Sequence, residues 1–159
     1  MEKIEKTNAM RQFERKKLSY TIHSYEGVIS GVDVARTLGQ DPRRVFKTLV
    51  TVGKSGGHYV FMIPVEQELD LKKAAKAVGE KSVAMLPQKD LLPLTGYIHG
   101  GCSPVGMKKQ FPTVLHSSVM DFETIFFSGG KIGLQICSDP RNLEKLIPLT
   151  YHSVTTEEL

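Results

Sequence analysis

The stretch RVFKTLVTVGKSGGHYVFMIPV, residues 44–65, decides the fold class. Two runs rich in β-branched and aromatic residues flank the turn-forming segment GKSGG, and this pattern predicts a β-hairpin. A second hairpin is predicted for TIFFSGGKIGLQICS, residues 124–138, with Gly129 and Gly130 at its bend. Two hairpins in one chain favour a largely antiparallel sheet.

The rest of the chain adds both strands and helices around these hairpins. Further strands are predicted for SYTIHSY (19–25), KSVAML (81–86), TGYIHGG (95–101) and TVLHSSVM (113–120). Apolar spacing and capping residues predict helices at 4–17, 31–38, 71–79 and 141–147, with a short helical turn at 87–92. We therefore expect an α+β fold, a mixed and largely antiparallel sheet flanked by helices, in a single domain over residues 1–159.

The composition is that of an ordinary folded protein. The chain has 159 residues, of which 40% are hydrophobic and 24% charged. No apolar run approaches the roughly 18 residues of a membrane span, and the charged start lacks the apolar region of a secretory signal. We expect no membrane association, a cytoplasmic location, and free thiols at Cys102 and Cys137.

A mild basic excess is compatible with an anionic partner. The formal net charge is +4 and the isoelectric point is about 9.0. The positive charges fall into three segments that could contact phosphates: Arg43, Arg44 and Lys47; Lys72, Lys73 and Lys76; Lys108, Lys109 and Lys131.

The most informative single residue is Lys47, which interrupts the strand RVFKTLV. Strand periodicity places Val45, Lys47 and Leu49 on one face, and both faces of this strand look apolar. Because a buried lysine is costly without a partner, two readings remain. Lys47 either extends to solvent from an edge strand or opens onto a functional pocket.

Three other features could carry chemistry. The loop GGCSPVG, residues 100–106, could present backbone N–H groups to a carbonyl or phosphate oxygen, or could be a tight connection that needs glycines. The segment SGGK, residues 128–131, reads as a hairpin turn, and its Ser and Lys could face a ligand if the turn lies beside that loop. Cys102 with His99 suggests a nucleophile and base without fixed geometry. The histidine and cysteine spacing predicts no metal site.

Four motifs in register resemble those of the YbaK/EbsC family. They are FKTLV (46–50), LDLKKAAKAVG (69–79), TGYIHGGCSPVGMKK (95–109) and FETIFFSGGKIGL (122–134). The resemblance implies the fold shared with the editing domain inserted in some bacterial prolyl-tRNA synthetases. It also implies a trans-acting enzyme that clears mischarged tRNA. The branch that this sequence is most similar to removes cysteine from tRNA for proline and can act on other cysteinyl-tRNAs.

The resemblance also implies site residues. The catalytic lysine is Lys47, and the backbone of Gly100 and Gly101 would orient the aminoacyl carbonyl. The implied substrate-binding residues are Tyr25, Thr48, Ser103, Pro104, Gly106, Ser128 and Gly129. Two positions depart from the family pattern: Ser30 stands where close relatives have phenylalanine, and Gln135 where an acidic residue is sometimes found. The linker after Tyr25 is also shorter.

The implied mechanism is substrate-assisted, since no protein nucleophile is evident. The thiol of the bound cysteine would attack its own ester while Lys47 holds the terminal nucleotide and stabilises negative charge. Phosphate contacts are expected from Lys72, Lys73, Lys108 and Lys109. No cofactor is implied, and the partners are aminoacylated tRNA and, as a candidate, prolyl-tRNA synthetase. Two alternatives stay open: an alanyl-tRNA(Pro) deacylase that uses water and the 2′-OH, and a non-catalytic module that binds tRNA or a synthetase.

Overall fold

The structure, a computed structural model, describes residues 5–26 and 30–156. Its helices are α1 (Asn8–Arg15), α2 (Gly31–Thr37), α3 (Leu71–Val78), α4 (Gln88–Thr95) and α5 (Pro140–Glu144), with short 3₁₀ helices at Pro42–Arg44 and Ser117–Asp121. Its strands are β1 (Thr21–Ser24), β2 (Phe46–Gly53), β3 (His58–Pro64), β4 (Val83–Met85), β5 (Thr113–His116), β6 (Ile125–Ser128), β7 (Leu134–Ser138) and β8 (Leu149–His152).

The strands form two sheets. The larger one has the order β4-β2-β3-β5-β8 and the smaller one β1-β7-β6. Both predicted hairpins are present, as the antiparallel pairs β2–β3 and β6–β7. The β3–β5 and β5–β8 pairs are parallel, and the other pairs of both sheets are antiparallel. The expected α+β architecture with a mixed, largely antiparallel sheet is confirmed.

A gap between the two sheets runs along one edge of β2. At one end of this edge, Val45 forms an isolated parallel bridge with Phe126 of β6. At the other end, β4 pairs only with the residues from Thr51 to Gly53. In the described part of the chain, no strand pairs with the β2 edge between these two points. Lys47 of the β2–β3 hairpin therefore lies beside the gap between the two sheets.

Helices cover both layers. Helix α1 buries Ala9, Met10 and Phe13, and the Phe13 ring stacks on Phe127 of the small sheet with the centroids 6.2 Å apart. Helix α3 buries Ala74 and Ala75 in a separate cluster with Phe61, Ile63, Val83 and Val114 of the large sheet and with Val154, which follows β8. None of the helices in the described residues has the length and apolar character to span a bilayer.

The strand predicted for residues 95–101 is wrong. This segment follows α4, whose end is fixed by Gly96 with φ of 86°. Tyr97 then turns inward, and its hydroxyl donates to the carbonyl oxygen of Val105 at 2.7 Å. Helix α4 itself is longer than the predicted short turn and contains Pro93. Leu91 and Leu94 pack against the cluster around Val50, Val60 and Tyr97, and this burial outweighs the cost of a helical proline.

Other boundaries differ because local contacts decide them. Helix α1 begins after the N-cap Thr7, and the predicted start at Ile4 lies outside the described residues. Helix α5 is shorter than predicted. Strand β8, which was not predicted, pairs in parallel with β5. Parallel pairing between distant segments leaves little trace in a local pattern, so the sequence could not reveal it.

Candidate active site

A cavity of about 730 Å³ occupies the gap beside β2. It is bounded by β2, by the segment that joins β4 to α4, by the loop GGCSPVG (residues 100–106, the glycine loop) and by the β6–β7 hairpin. Its lining residues are Tyr25, Ser30, Gly31, Val34, Val45, Phe46, Lys47, Thr48, Leu49, Val65, Met85, Leu86, Gln88, Leu91, His99, Gly100, Cys102, Ser128, Ile132 and Gln135. Five residues predicted for the site are in this set: Tyr25, Lys47, Thr48, Gly100 and Ser128.

The open edge of β2 offers backbone groups to the cavity. The carbonyl oxygen of Val45 accepts a hydrogen bond from the N–H of Val65, which follows β3, at 2.9 Å. The carbonyl oxygen of Val50 accepts one from Leu86, which follows β4, at 3.0 Å. The carbonyl of Val45 thus points towards β3, and the carbonyl of Val50 points towards β4. Because the backbone groups of successive residues point to opposite sides of an antiparallel strand, Thr48 points its N–H and C=O to the same side as Val50, which is the gap. A ligand there could pair with β2 as a strand would.

Lys47 is partly buried in the wall of this cavity. Burial lowers the pKa of its ammonium group, while the negative charge of Glu68 acts in the opposite direction. The ammonium makes no hydrogen bond or ion pair with other described residues. Of the two readings of the sequence, the structure favours the lysine that faces a pocket.

The glycine loop contributes Gly100 and Cys102 to the lining. Gly100 has φ of 86°, a conformation that favours glycine. The N–H of Gly101 donates to the carbonyl oxygen of Ile98 at 3.0 Å, so it is not free to bind a substrate carbonyl. A Cβ on Gly101 would lie 2.8 Å from the Ile132 nitrogen, which shows how closely the loop approaches the β6–β7 turn. Gly100 is therefore the better candidate for the backbone donor.

Ser103, Pro104, Gly106 and Gly129 do not line the cavity, although they were expected to bind substrate. Ser103 is fully buried, and its hydroxyl accepts from the N–H of Val105 at 3.3 Å. A Cβ on Gly106 would lie 2.7 Å from the Tyr97 hydroxyl. Ser103 and Gly106 therefore support the loop from the side away from the cavity. The sequence could not distinguish this structural role from direct contact with substrate.

The hairpin turn is fixed from two sides. The hydroxyl of Ser128 accepts a hydrogen bond from the N–H of Gly130 at 3.2 Å. The carbonyl oxygen of Gly129 accepts one from the hydroxyl of Thr7, the N-cap of α1, at 2.6 Å. Ser128 is thus held at the cavity wall by contacts within the turn and by the first helix.

Gln135 is a cavity residue for which the sequence predicted no role. It lies opposite Ser128 in the β6–β7 pair and is only 6% exposed. Its Oε1 atom and the Oγ1 atom of Thr48 are both buried and have no hydrogen-bond partner. Leaving such groups unpaired costs about 1–3 kcal/mol each, so their place in the cavity wall suggests that a ligand satisfies them.

Cys102 does not have the properties of a nucleophile. Burial raises the pKa of its thiol to about 11, and the thiol is therefore protonated at neutral pH. His99, its suggested base, is exposed at the cavity. Cys102 and Cys137 are both free, as expected. Among the described residues, no cluster of three His, Cys, Asp or Glu side chains could hold a metal ion.

The four lysines expected to contact phosphates lie outside the cavity lining. On α3, Lys72 is exposed, and Lys73 donates to the carbonyl oxygen of Thr155 at 2.9 Å. Lys108 packs along Gly96, with its ammonium 3.5 Å from the Pro93 carbonyl oxygen. Lys109 lies 6.0 Å from the centroid of the Phe111 ring. Their contacts with tRNA stay predictions.

Comparisons with known proteins show which family the chain resembles. A family model described as the aminoacyl-tRNA editing domain matches residues 26–146. The protein named "Putative Cys-tRNA(Pro)/Cys-tRNA(Cys) deacylase EbsC" from Enterococcus faecalis is 48% identical over 157 residues, which cover 97% of this chain and 96% of that protein. A proline–tRNA ligase from Fervidobacterium nodosum is 33% identical over 76 residues, which cover 48% of this chain and 13% of the ligase.

The fold also matches a solved structure. That structure is described as "a putative trans-editing enzyme for prolyl tRNA synthetase", and the TM-score is 0.83. The match covers 94% of this chain and 96% of the other at 22% identity. At this sequence identity the match shows a shared fold only.

Proposed function

Because the chain belongs to the aminoacyl-tRNA editing domain family, we propose that it is a deacylase that removes wrongly attached cysteine from tRNA for proline, and from other cysteinyl-tRNAs. The observation that carries this proposal is the partly buried, unpaired ammonium of Lys47 in the wall of a cavity of about 730 Å³. A cavity of this size can hold an aminoacyl group with the nucleotide to which it is esterified.

The bound substrate supplies the nucleophile. The thiol of the cysteinyl group attacks its own ester carbonyl, and a carbon–sulfur bond forms as the bond to the 3′-terminal oxygen breaks. The thiol proton passes to that oxygen, so the products are free tRNA and a cysteine thiolactone, which later opens in water. This route needs no nucleophile from the protein, which fits the protonated state of the Cys102 thiol.

The protein positions the reacting groups and stabilises charge. The Lys47 ammonium holds the terminal nucleotide and stabilises the negative charge that develops on the ester oxygens. The N–H of Gly100 is the candidate donor to the aminoacyl carbonyl. The open backbone of Thr48 and the amide of Gln135 accept hydrogen bonds from the α-amino group. Positioning of this kind alone can supply a large part of a rate enhancement.

The cavity suits a small, weakly polar side chain. Val34, Val45, Val65 and Leu86 supply apolar lining, and no Asp or Glu is among the lining residues. A CH₂SH group fits such walls better than a charged or long polar group does. Ser30, at the position where close relatives carry phenylalanine, also lines the cavity and leaves more room there.

Deacylation assays with cysteinyl-, alanyl- and seryl-tRNA test this function. Alanine and serine have no thiol, so substrate-assisted cleavage predicts rapid loss of cysteine only. Rapid loss of alanine would instead point to a water-dependent alanyl-tRNA deacylase. Tight tRNA binding without loss of any ester would identify a non-catalytic module and would overturn the proposal.

We further propose tRNA as the macromolecular partner and the cytoplasm as the place of action. Lys72, Lys73, Lys108 and Lys109 are proposed phosphate contacts, which add affinity without base specificity. The match to part of a proline–tRNA ligase supports prolyl-tRNA synthetase as a second partner to test. Co-sedimentation of the protein with that synthetase, with and without tRNA, is the direct measurement.

A further inference from the structure

Exposed apolar side chains gather at the mouth of the cavity. Met85 and Ile132 line it and are nevertheless 45% and 55% exposed, so they lie where it opens to solvent. Ile98, which is 50% exposed, directly precedes His99 and Gly100 of the lining. A Cβ on Gly100 would lie 3.5 Å from Ile132, which shows that the glycine loop and the hairpin turn meet there. We call Met85, Ile98 and Ile132 the apolar rim.

The net positive charge of the chain falls in the sequence segments that carry this rim, together with Lys47. Residues 83–109 and 128–135, which carry the rim, contain Lys89, Lys108, Lys109 and Lys131 but only one acidic residue, Asp90. Together with Lys47 they hold five of the 21 basic and one of the 17 acidic residues. They therefore account for the whole net charge of +4, and the rest of the chain is neutral.

Apolar side chains among lysines suit a single-stranded nucleic acid. In such complexes the bases lie on apolar or aromatic side chains while cationic groups follow the phosphates. A duplex keeps its bases stacked inside and would leave the apolar rim uncovered. Val65, another lining residue, is followed closely in sequence by Glu66 and Glu68, so the part of the cavity that it lines is less favourable for a polyanion.

We propose that the apolar rim docks the unpaired nucleotides at the 3′ end of tRNA, on the 5′ side of the esterified one. The proposal rests on the proposed function, which places the ester inside the cavity beside Lys47. The preceding nucleotides then lie at the cavity mouth. Their bases cover Met85, Ile98 and Ile132, and their phosphates face Lys89 and Lys131. The rim thereby selects tRNA whose terminal nucleotides are free of pairing.

Binding of uncharged RNA tests the rim separately from the chemistry. The probe is an acceptor-stem hairpin with or without its unpaired 3′ nucleotides, followed by fluorescence anisotropy. We expect the wild type to prefer the hairpin with the unpaired end by about tenfold, the gain from covering two half-exposed apolar side chains. The double variant Met85→Ser/Ile132→Ser should lose most of that preference and raise the KM for cysteinyl-tRNA more than it changes kcat.

Met120→Ser is the matched control. Met120 is 67% exposed, lies on the 3₁₀ helix Ser117–Asp121 and does not line the cavity, so this variant should keep the preference. A double variant with an unchanged thermal midpoint and an unchanged preference for the unpaired end would overturn the rim proposal. The rim proposal would also be overturned if the double variant changed from dimer to monomer on sedimentation while its RNA binding stayed intact. That result would show that the rim joins two copies of the chain. Neither result would affect the proposed function, which fails if the wild type does not release cysteine from cysteinyl-tRNA.

Discussion

The hydroxyl of Thr7 donates a hydrogen bond to the carbonyl oxygen of Gly129, and the two oxygen atoms are 2.6 Å apart although the residues are 122 positions apart in the sequence. The same hydroxyl accepts the N-cap hydrogen bond from Met10. A Cβ on Gly130 would lie 3.1 Å from both the Thr7 Cβ and the Tyr97 ring. The start of α1, which precedes the span matched by the family model, is therefore built into the turn that carries Ser128.

Thr7→Val should lower kcat about tenfold, because the turn loses its hydrogen bond to α1 and Ser128 is held less firmly. It should also cost about 1 kcal/mol of unfolding free energy, since the helix loses its cap. Thr7→Ser should restore both. Steady-state deacylation and denaturant unfolding of the three proteins check this. Asp70→Ala removes the cap of α3, a helix of the same length, and controls for a general effect of capping; an equal loss of kcat there would argue against a local role for Thr7.

Gln135→Met should lower kcat/KM about tenfold without destabilising the fold. The substitution keeps the length of the side chain but removes an amide oxygen that is buried and unpaired in the free protein. The free energy of unfolding should stay constant or rise by about 1 kcal/mol, since the unpaired acceptor is gone. Thermal midpoints and deacylation rates on the same preparations give the answer. A drop in both would instead assign Gln135 a structural task.

Cys102→Ala should keep the deacylation rate within about threefold. The wild-type thiol has a pKa raised to about 11 by burial, and no base in the described residues is placed to activate it. In agreement, alkylation of Cys102 in the folded protein at pH 8 should be slow. A loss of about a hundredfold in a folded Cys102→Ala protein would show that the thiol takes part in catalysis.

The sequence predicted most of the fold, and five of its candidate site residues lie in the cavity wall. Particular residues show why the rest could not be predicted. The hairpin around Lys47 and the helix after Asp70 depend on local patterns, so both were predicted correctly. The gap beside β2 depends on where β4 ends and where β6 begins, and no local sequence pattern predicts these positions. Gln135 becomes a cavity residue only through that gap, and the N–H of Gly101 is engaged only because the loop turns at Ile98.

Stability should depend on pH through Lys47. Burial lowers the pKa of its ammonium, so between the folded and unfolded pKa values the unfolded chain binds more protons. The charged lysine therefore lowers the free energy of unfolding at neutral pH, and this penalty fades as pH rises towards the ordinary lysine pKa. Lys47→Met should be more stable than the wild type at pH 7, with a smaller difference at pH 10. A difference that grows with pH would contradict this placement of the ammonium.

The account depends most on Lys47 as the group that holds the terminal nucleotide and stabilises charge. Its most direct test is cysteinyl-tRNA deacylation by wild type, Lys47→Ala and Lys47→Arg, with thermal midpoints on the same preparations. Lys47→Ala should lose about a hundredfold or more in kcat/KM, roughly 2.7 kcal/mol, at an unchanged or higher midpoint. Lys47→Arg should also fail substantially, because a planar guanidinium does not fit the place of a compact ammonium. Full activity of Lys47→Ala would contradict the catalytic role, and loss of both folding and activity would show that the lysine is structural.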